Sequence, residues 1–227
     1  MISNNNILDI VSSSSAGNCY IYNQDLMIDI GVSFAKVKKY IQQVSLILLT
    51  HVHGDHFNSK TLKRVIYENP QIKIICGFWF VDILHQIGIP LQNIYVLEMD
   101  HTYIVGKYII EPVMAMHDVP NFGYKIRIIE NGYKIFHISD TSDIEHITAK
   151  DYDWYSIEAN YETDDELEQR IKEDEENGVY SHYKRVKETH LSQLKAINWL
   201  DKNKGENSNY VFIHQHVQKE EENENIK

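Results

Sequence analysis

The sequence predicts an α/β domain built on two sheets, and three observations carry that reading. Apolar runs of strand length alternate with segments whose apolar residues recur at helical spacing, and a second series of strand-like pieces follows Pro90. Residues suited to binding metal also stand repeatedly just beyond apolar strands, as they do where strand ends converge on one cleft. A chain of 227 residues is long enough for one well-filled core. A single domain over residues 1–218 with a charged tail at 219–227 is therefore expected.

The elements follow in order. Ile7 to Val11, Cys19 to Tyr22 and Leu26 to Ile30 are apolar runs separated by the polar stretches 12–18 and 23–25, the pattern of a hairpin-rich sheet. Ser33 is placed to cap a helix in which Phe34, Val37 and Ile41 share a face, and Ser45 to Leu49 returns as a buried strand. Ser59 to Tyr67 reads as helix, Ile72 to Cys76 as strand, and Trp79 to Ile87 as a helix ended by Gly88. Strand-like pieces at Ile94 to Leu97, Tyr103 to Val105 and Tyr108 to Val113 open the second sheet. A hairpin joins Tyr124 to Ile129 with Tyr133 to Ile138 through Asn131-Gly132, a dipeptide that takes the positive φ angles of a tight turn. A brief helix is expected near Ile144 to Thr148, an inner strand at Trp154 to Ile157, and an acidic helical insertion over 162–189. A helix from His190 to Leu200, with Leu191, Leu194, Ile197 and Leu200 on one face, precedes the last strand, Tyr210 to Ile213.

Chemistry is concentrated in His51-Val52-His53-Gly54-Asp55-His56, directly after the apolar run that ends at Leu49. Imidazole and carboxylate are the donors that zinc, manganese or iron accept, and four of them within six residues leave room for two ions sharing a water. Further candidates end other strands: His117 after Met116, Asp140 after Ser139, and His214 after Ile213, with His216 two residues on as the alternative last ligand. The expected site is dinuclear, with Asp140 bridging, His51, His53 and His117 completing one ion, and Asp55, His56 and His214 the other. Asp29 is a candidate to orient a ligand imidazole by hydrogen bonding. His85, His101, His137, His146 and His182 have no companions at ligand spacing and read as structural or exposed.

Composition narrows the classes. No apolar stretch is long enough to span a membrane, no secretory segment is visible at Met1 to Asn6, and Cys19 and Cys76 are too few for a disulfide framework. A cytoplasmic setting is expected. The net charge of −11 is carried mainly by Glu162 to Glu176, with nine acids against two bases, and by Lys219 to Lys227, with four against two. The remaining body is near neutral and lacks a basic stripe, which disfavours tight sequence-independent duplex binding. A small or short anionic substrate held by metal fits better.

These residues resemble the metallo-β-lactamase superfamily over nearly the whole chain. Within it, the Ser-rich segment Ser12 to Cys19 with its Gly-Asn-Cys ending, His51 to His56, and His117-Asp118 with Gly123-Tyr124 are most similar to the single-domain branch related to ribonuclease Z and a small bacterial exonuclease. The resemblance implies a four-layer αββα sandwich with metals at the sheet edges. It also implies that Glu158, in Ile157-Glu158-Ala159-Asn160, and His190, in His190-Leu191-Ser192, form the proton-donating pair of the family's nucleases. Two departures stand out: Gln215-His216 follow His214, and an acidic segment replaces the basic arm of larger relatives, which argues against a transfer-RNA substrate.

The expected activity is hydrolysis of phosphodiester bonds in DNA or RNA by a hydroxide shared between two divalent ions, zinc or manganese, with Asp55 helping to place the hydroxide and His190, oriented by Glu158, protonating the leaving group. A cyclic nucleotide of the kind used in bacterial antiviral signalling, degraded by small phage-borne relatives, is the alternative substrate. Lactam or thioester hydrolysis is the second enzyme class, a metal-stabilised binding module the third reading, and non-haem iron redox chemistry a further one. A homodimer is expected from relatives and from Phe78, Trp79 and Phe80.

Overall fold

A computed structural model describes residues 7–215, so His216 and the tail at 219–227 lie outside the described residues. Two six-stranded sheets are formed by consecutive halves of the chain. The first runs β1 (Leu8–Ser14), β2 (Gly17–Tyr22), β3 (Leu26–Ile28), β4 (Leu46–Leu48), β5 (Lys73–Cys76) and β6 (Ile94–Val96), in that spatial order. β1 to β3 form an antiparallel meander and β3 to β6 are parallel. The helices α1 (Phe34–Val37), α2 (Ser59–Glu68) and α3 (Val81–Gln86) lie in the crossovers that parallel pairing demands.

The second sheet has the order β12-β11-β10-β9-β8-β7. Its antiparallel part is β7 (Tyr103–Val105), β8 (Tyr108–Ala115), β9 (Asn121–Ile128) and β10 (Lys134–Ile138). β11 (Trp154–Glu158) and β12 (Asn209–Ile213) then add parallel to β10. Between these last strands the chain forms α4 (Asp164–Glu176), α5 (Tyr183–Thr189) and α6 (Gln193–Asn203).

Side-chain alternation explains the layering. In β2, Cys19 and Ile21 face the helices of the first half whereas Tyr20 and Tyr22 face the other sheet; in β4, Ile47 and Leu46 with Leu48 divide the same way. The middle layer is closed from the second sheet by Tyr108, Phe122, Tyr124, Ile126 and Ile128. The opposite face of that sheet presents Phe136, Ile138, Tyr155 and Ile157 to Trp199 and Leu200 of α6, with the Phe136 and Trp199 rings stacked 5.1 Å apart. Three apolar layers separate four layers of structure, the αββα sandwich expected.

Several expectations need correction. Ile94 to Leu97 does not open the second sheet: β6 pairs parallel with β5 and closes the first, because its partner is set by the preceding crossover. Only Gly132 of Asn131-Gly132 has positive φ, at 73°, so the hairpin turn is longer than two residues, closing with Ile128 N–H to Tyr133 O at 2.9 Å. The expected helix at Ile144 to Thr148 is a single turn, Ile147 N–H to Ile144 O. Trp79 belongs to a short 3-10 turn, Phe78–Phe80, ahead of α3, and of those three aromatics only Phe78 is exposed, while Phe80 is buried and Trp79 packs on Phe122.

The helix expected from His190 begins instead after Ser192, whose hydroxyl accepts from Lys195 N–H. Its buried face is Ala196, Trp199 and Leu200, with Leu194 and Ile197 exposed, because the larger indole turns the helix towards the sheet. His190 thereby sits in the break between α5 and α6. None of the helices among the described residues is long and apolar enough to cross a membrane.

Candidate metal centre

The candidate metal ligands from His51 to His214 stand, with Glu158 and His190, at one edge of the sandwich, and all but His190, which lies between α5 and α6, are on segments that end or leave strands. The stretch 51–56 leaves parallel strand β4, His117 follows β8, Asp140 follows β10, Glu158 ends β11 and His214 follows β12. The ligand atoms of His51, His53, His117 and Asp140 lie within 4.8 Å of one another, as do those of Asp55, His56, Asp140 and His214. Asp140, Glu158, His190 and His214 form a third group of the same compactness. Asp140 is common to all three.

Hydrogen bonds to the far nitrogens aim the rings. Asp29 Oδ2 takes His56 Nδ1–H at 2.6 Å while its other oxygen accepts Thr50 N–H at 2.9 Å, which leaves His56 Nε2 facing the cluster. Thr50 Oγ1 lies 3.0 Å from His51 Nδ1, and Thr189 O accepts from His117 Nδ1 at 3.0 Å. The ring of His53 meets the ring of His117 at 3.1 Å between Nδ1 and Nε2. Asn121 donates to Ser139 O and Asp140 O, at 3.0 and 2.7 Å, and pins the turn that carries the shared carboxylate. Asp29, Asp140 and His214 all hold left-handed backbone, with φ of 58°, 50° and 51°. Such strain costs of order 1–3 kcal/mol per residue and persists only where surroundings enforce it.

Charge is the dominant feature. Asp29, Asp140 and Glu158 are buried, and buried carboxylates require compensation. Burial would raise Asp140, but the imidazoles of His56 and His214 hold it well below the usual carboxylate range. Burial would lower His56 and His214, yet Asp140 with Asp29 holds the first well above the imidazole range, and Asp140 with Asp55 and Glu158 raises the second to about 10. His51, buried and facing His56, is pushed well down. His51 Nε2, Asp140 Oδ1 and His214 Nε2 are buried with no hydrogen-bond partner among the described residues. Orphaned nitrogen and oxygen donors around a shared carboxylate, in a pocket that demands positive charge, fit divalent cations.

Glu158 and His190 pair closely. His190 Nδ1 donates to Glu158 Oε1 at 2.5 Å, and Glu158 Oε2 accepts Thr141 N–H at 2.7 Å. Burial alone would lower His190, but the Glu158 carboxylate raises it.

The pattern of the beta-lactamase superfamily domain matches residues 27–215. The chain belongs to that superfamily. It has the metallo-β-lactamase fold, and solved structures overlay across most of its length. The metallo-β-lactamase fold protein YhfI from Bacillus subtilis matches with TM-score 0.68 at 13% identity, covering 93% of this chain and 86% of that one. Human tRNase Z, short form, matches with TM-score 0.67 at 16% identity, covering 92% of each. A ribonuclease Z of Thermoplasma acidophilum is 34% identical over 93 residues, which span 35% of this chain and 30% of that relative.

Three residues at the cluster were assigned no role by the sequence reading. Asn18 places Nδ2 at 2.8 Å from His56 Nε2 and takes its position from the β1–β2 turn, 38 residues away. Asp118 reaches His117 Nε2 at 3.2 Å and His53 Nε2 at 3.4 Å, and Arg185 of α5 grips its other oxygen at 2.6 Å. Asn18, in Gly17-Asn18-Cys19, and Asp118, beside His117, were visible as part of the family resemblance, whereas nothing local marks Arg185.

Proposed function

We propose that this protein is a hydrolase, a dinuclear, metal-dependent phosphodiesterase. The observation that carries the reading is Asp140 shared between two four-residue clusters, with the Glu158–His190 pair on its remaining side. His51, His53 and His117 with Asp140 would hold one ion, and Asp55, His56 and His214 with Asp140 the other. Two divalent ions, zinc or manganese, supply an activated water and offset charge on a phosphoryl group when bound. Asp55 helps to place that water. Glu158, fixed by Thr141 N–H, holds the His190 ring in one orientation, and His190 carries the proton that passes to the leaving oxygen.

Likeness to a ribonuclease Z and a tRNase Z structure supports phosphodiester chemistry over lactam or thioester hydrolysis. DNA or RNA ends are the first substrates to test. The acids of α4 oppose a long polyanion and favour a short one, so a cyclic nucleotide is the second. Elemental analysis of protein purified without chelator should find two ions per chain. Labelled duplex, single strand and cyclic mononucleotides, with nitrocefin as the lactam control, then assign the class. His190→Ala should keep its metal while losing about 10²–10⁴ in kcat. Metal-replete protein inert towards every phosphodiester would end the proposal.

A further inference from the structure

Beside the metal cluster lies an open pocket of about 430 Å³, lined by residues of α4, α5, the start of α6 and the segments that leave β11 and β12. It begins one residue beyond Glu158, at Ala159 and Asn160, and includes Gln215, which follows His214. Asn160 Nδ2 donates to His214 O at 3.1 Å and joins the two strand exits, so the cavity and the metal cluster share walls.

We propose that this cavity takes a nucleobase of the substrate, a reading that rests on the phosphodiesterase assignment and names the part of the substrate it selects. Tyr161 and Tyr183 are among the lining residues, the Tyr183 ring lying 4.0 Å from that of His182, and Asn160, Gln193 and Glu162 are residue types able to read a base edge. The size falls within the roughly 300–1,000 Å³ of small-molecule sites. Phosphate is served poorly, because the single arginine of the lining, Arg170, is paired with Glu166 at 2.8 Å and acids outnumber it. A flat, neutral heterocycle carrying donors and acceptors suits these walls, and a phosphodiester attached to it would reach the clustered donors of Asp140 and His214. The α4–α5 insertion then acts as the specificity element of the site.

The test compares two substrates on metal-loaded protein: nucleoside 5′-(p-nitrophenyl phosphates) carrying each of the common bases, and bis(p-nitrophenyl) phosphate, which has no base. In Tyr183→Ala the ratio of kcat/KM for the nucleotidyl substrate to that for the base-free one should fall about tenfold, chiefly through KM, and Tyr183→Phe should restore it. Gln193→Ala should change the order of preference among bases. Equal losses on both substrates, or an unchanged ratio in both alanine variants, would overturn the proposal. Free ribonucleosides titrated into the metal-loaded protein by saturation-transfer NMR separate this idea from the phosphodiesterase reading. Signal lost in Tyr183→Ala supports the base site even if no phosphodiester is cleaved; no signal for any nucleoside in the unmutated protein rejects the base site even if phosphodiesters are cleaved.

Discussion

Gly31 leaves no room for a side chain: a Cβ there would lie 1.7 Å from Asp55 O, where the β3–α1 connection crosses the ligand loop. The contact is backbone against backbone, with Ile30 N–H bonded to His56 O at 2.9 Å and Asn18 N–H to Asp55 O at 2.6 Å. Neither wall can yield as a flexible side chain would. Gly31→Ala should therefore cost about 1–3 kcal/mol by urea unfolding and lower metal content in parallel. Full stability with full metal content would show that the loop repacks freely. His137 offers a second residue-scale test. Its ring is buried between the sheets, with Nδ1 at 2.8 Å from Tyr22 OH, and burial, with the nearby His56 charge, pushes it down to about 3. The folded state thus binds this proton more weakly than the unfolded chain, whose histidines titrate near ~6.5. Stability from the neutral ring is complete above ~6.5 and falls away as pH drops towards the folded value, by at most about 1.4 kcal/mol per pH unit. The stability advantage of the unmutated protein over His137→Gln should shrink between pH 6.5 and 4; parallel profiles would refute this.

Among elements, α5 has the greatest influence on the centre for its length. Its last residue, Thr189, accepts from His117 Nδ1, the next residue is His190, and Arg185 one turn earlier holds Asp118 against His53 and His117. The Arg185–Asp118 pair is largely exposed on the arginine side, so it should add less than about 1 kcal/mol to stability. Its effect on placement is larger than its effect on folding. Arg185→Ala should leave the thermal midpoint within about 2 °C while lowering kcat about tenfold at unchanged metal content. Equal loss of midpoint and rate would make the pair merely structural. The legibility of the sequence divides along the same line. The gathering of His51 to His56 could be read because candidate ligands crowd one loop, and that of Asp140 and His214 because each follows an apolar strand, a signal carried by the local pattern. The contact of Asn18 with His56, the place of Arg185 and the true face of α6 could not, because each depends on which distant element packs against it. α6 starts after Ser192 rather than at His190 for that reason too, since the parallel bridge between Tyr161 and Ser192 fixes where the helix begins. Ile94 to Val96 was legible as a strand but not as a member of the first sheet, because pairing is a tertiary choice.

On the scale of the whole molecule, the two sheets meet across the aromatic layer of Tyr20, Tyr22, Tyr108, Phe122 and Tyr124, and again at the rim where the clustered donors face one another. His51 to His56 come from the first sheet; His117, Asp140 and His214 come from the second. Ions at that rim would tie the halves together. Occupancy at about 1,000 times the dissociation constant adds about 4 kcal/mol, so chelation should lower the thermal midpoint by roughly 8–16 °C. Asp140→Ala should start low and show no such drop on chelation. A midpoint indifferent to chelator in metal-loaded protein would show that the rim contributes nothing to cohesion.

The division of the chain into two consecutive sheets bears on how the protein is made. Every strand of the first sheet precedes every strand of the second, so on the ribosome the amino-terminal half can pair its strands while the rest is still being translated. His214 N–H to Ser13 Oγ, at 2.8 Å, joins positions 201 residues apart and can form only after β12 has emerged. Under the proposed function, assembly of the centre is thus a late event in biosynthesis, and a chain stalled before β12 carries the histidine loop without His214.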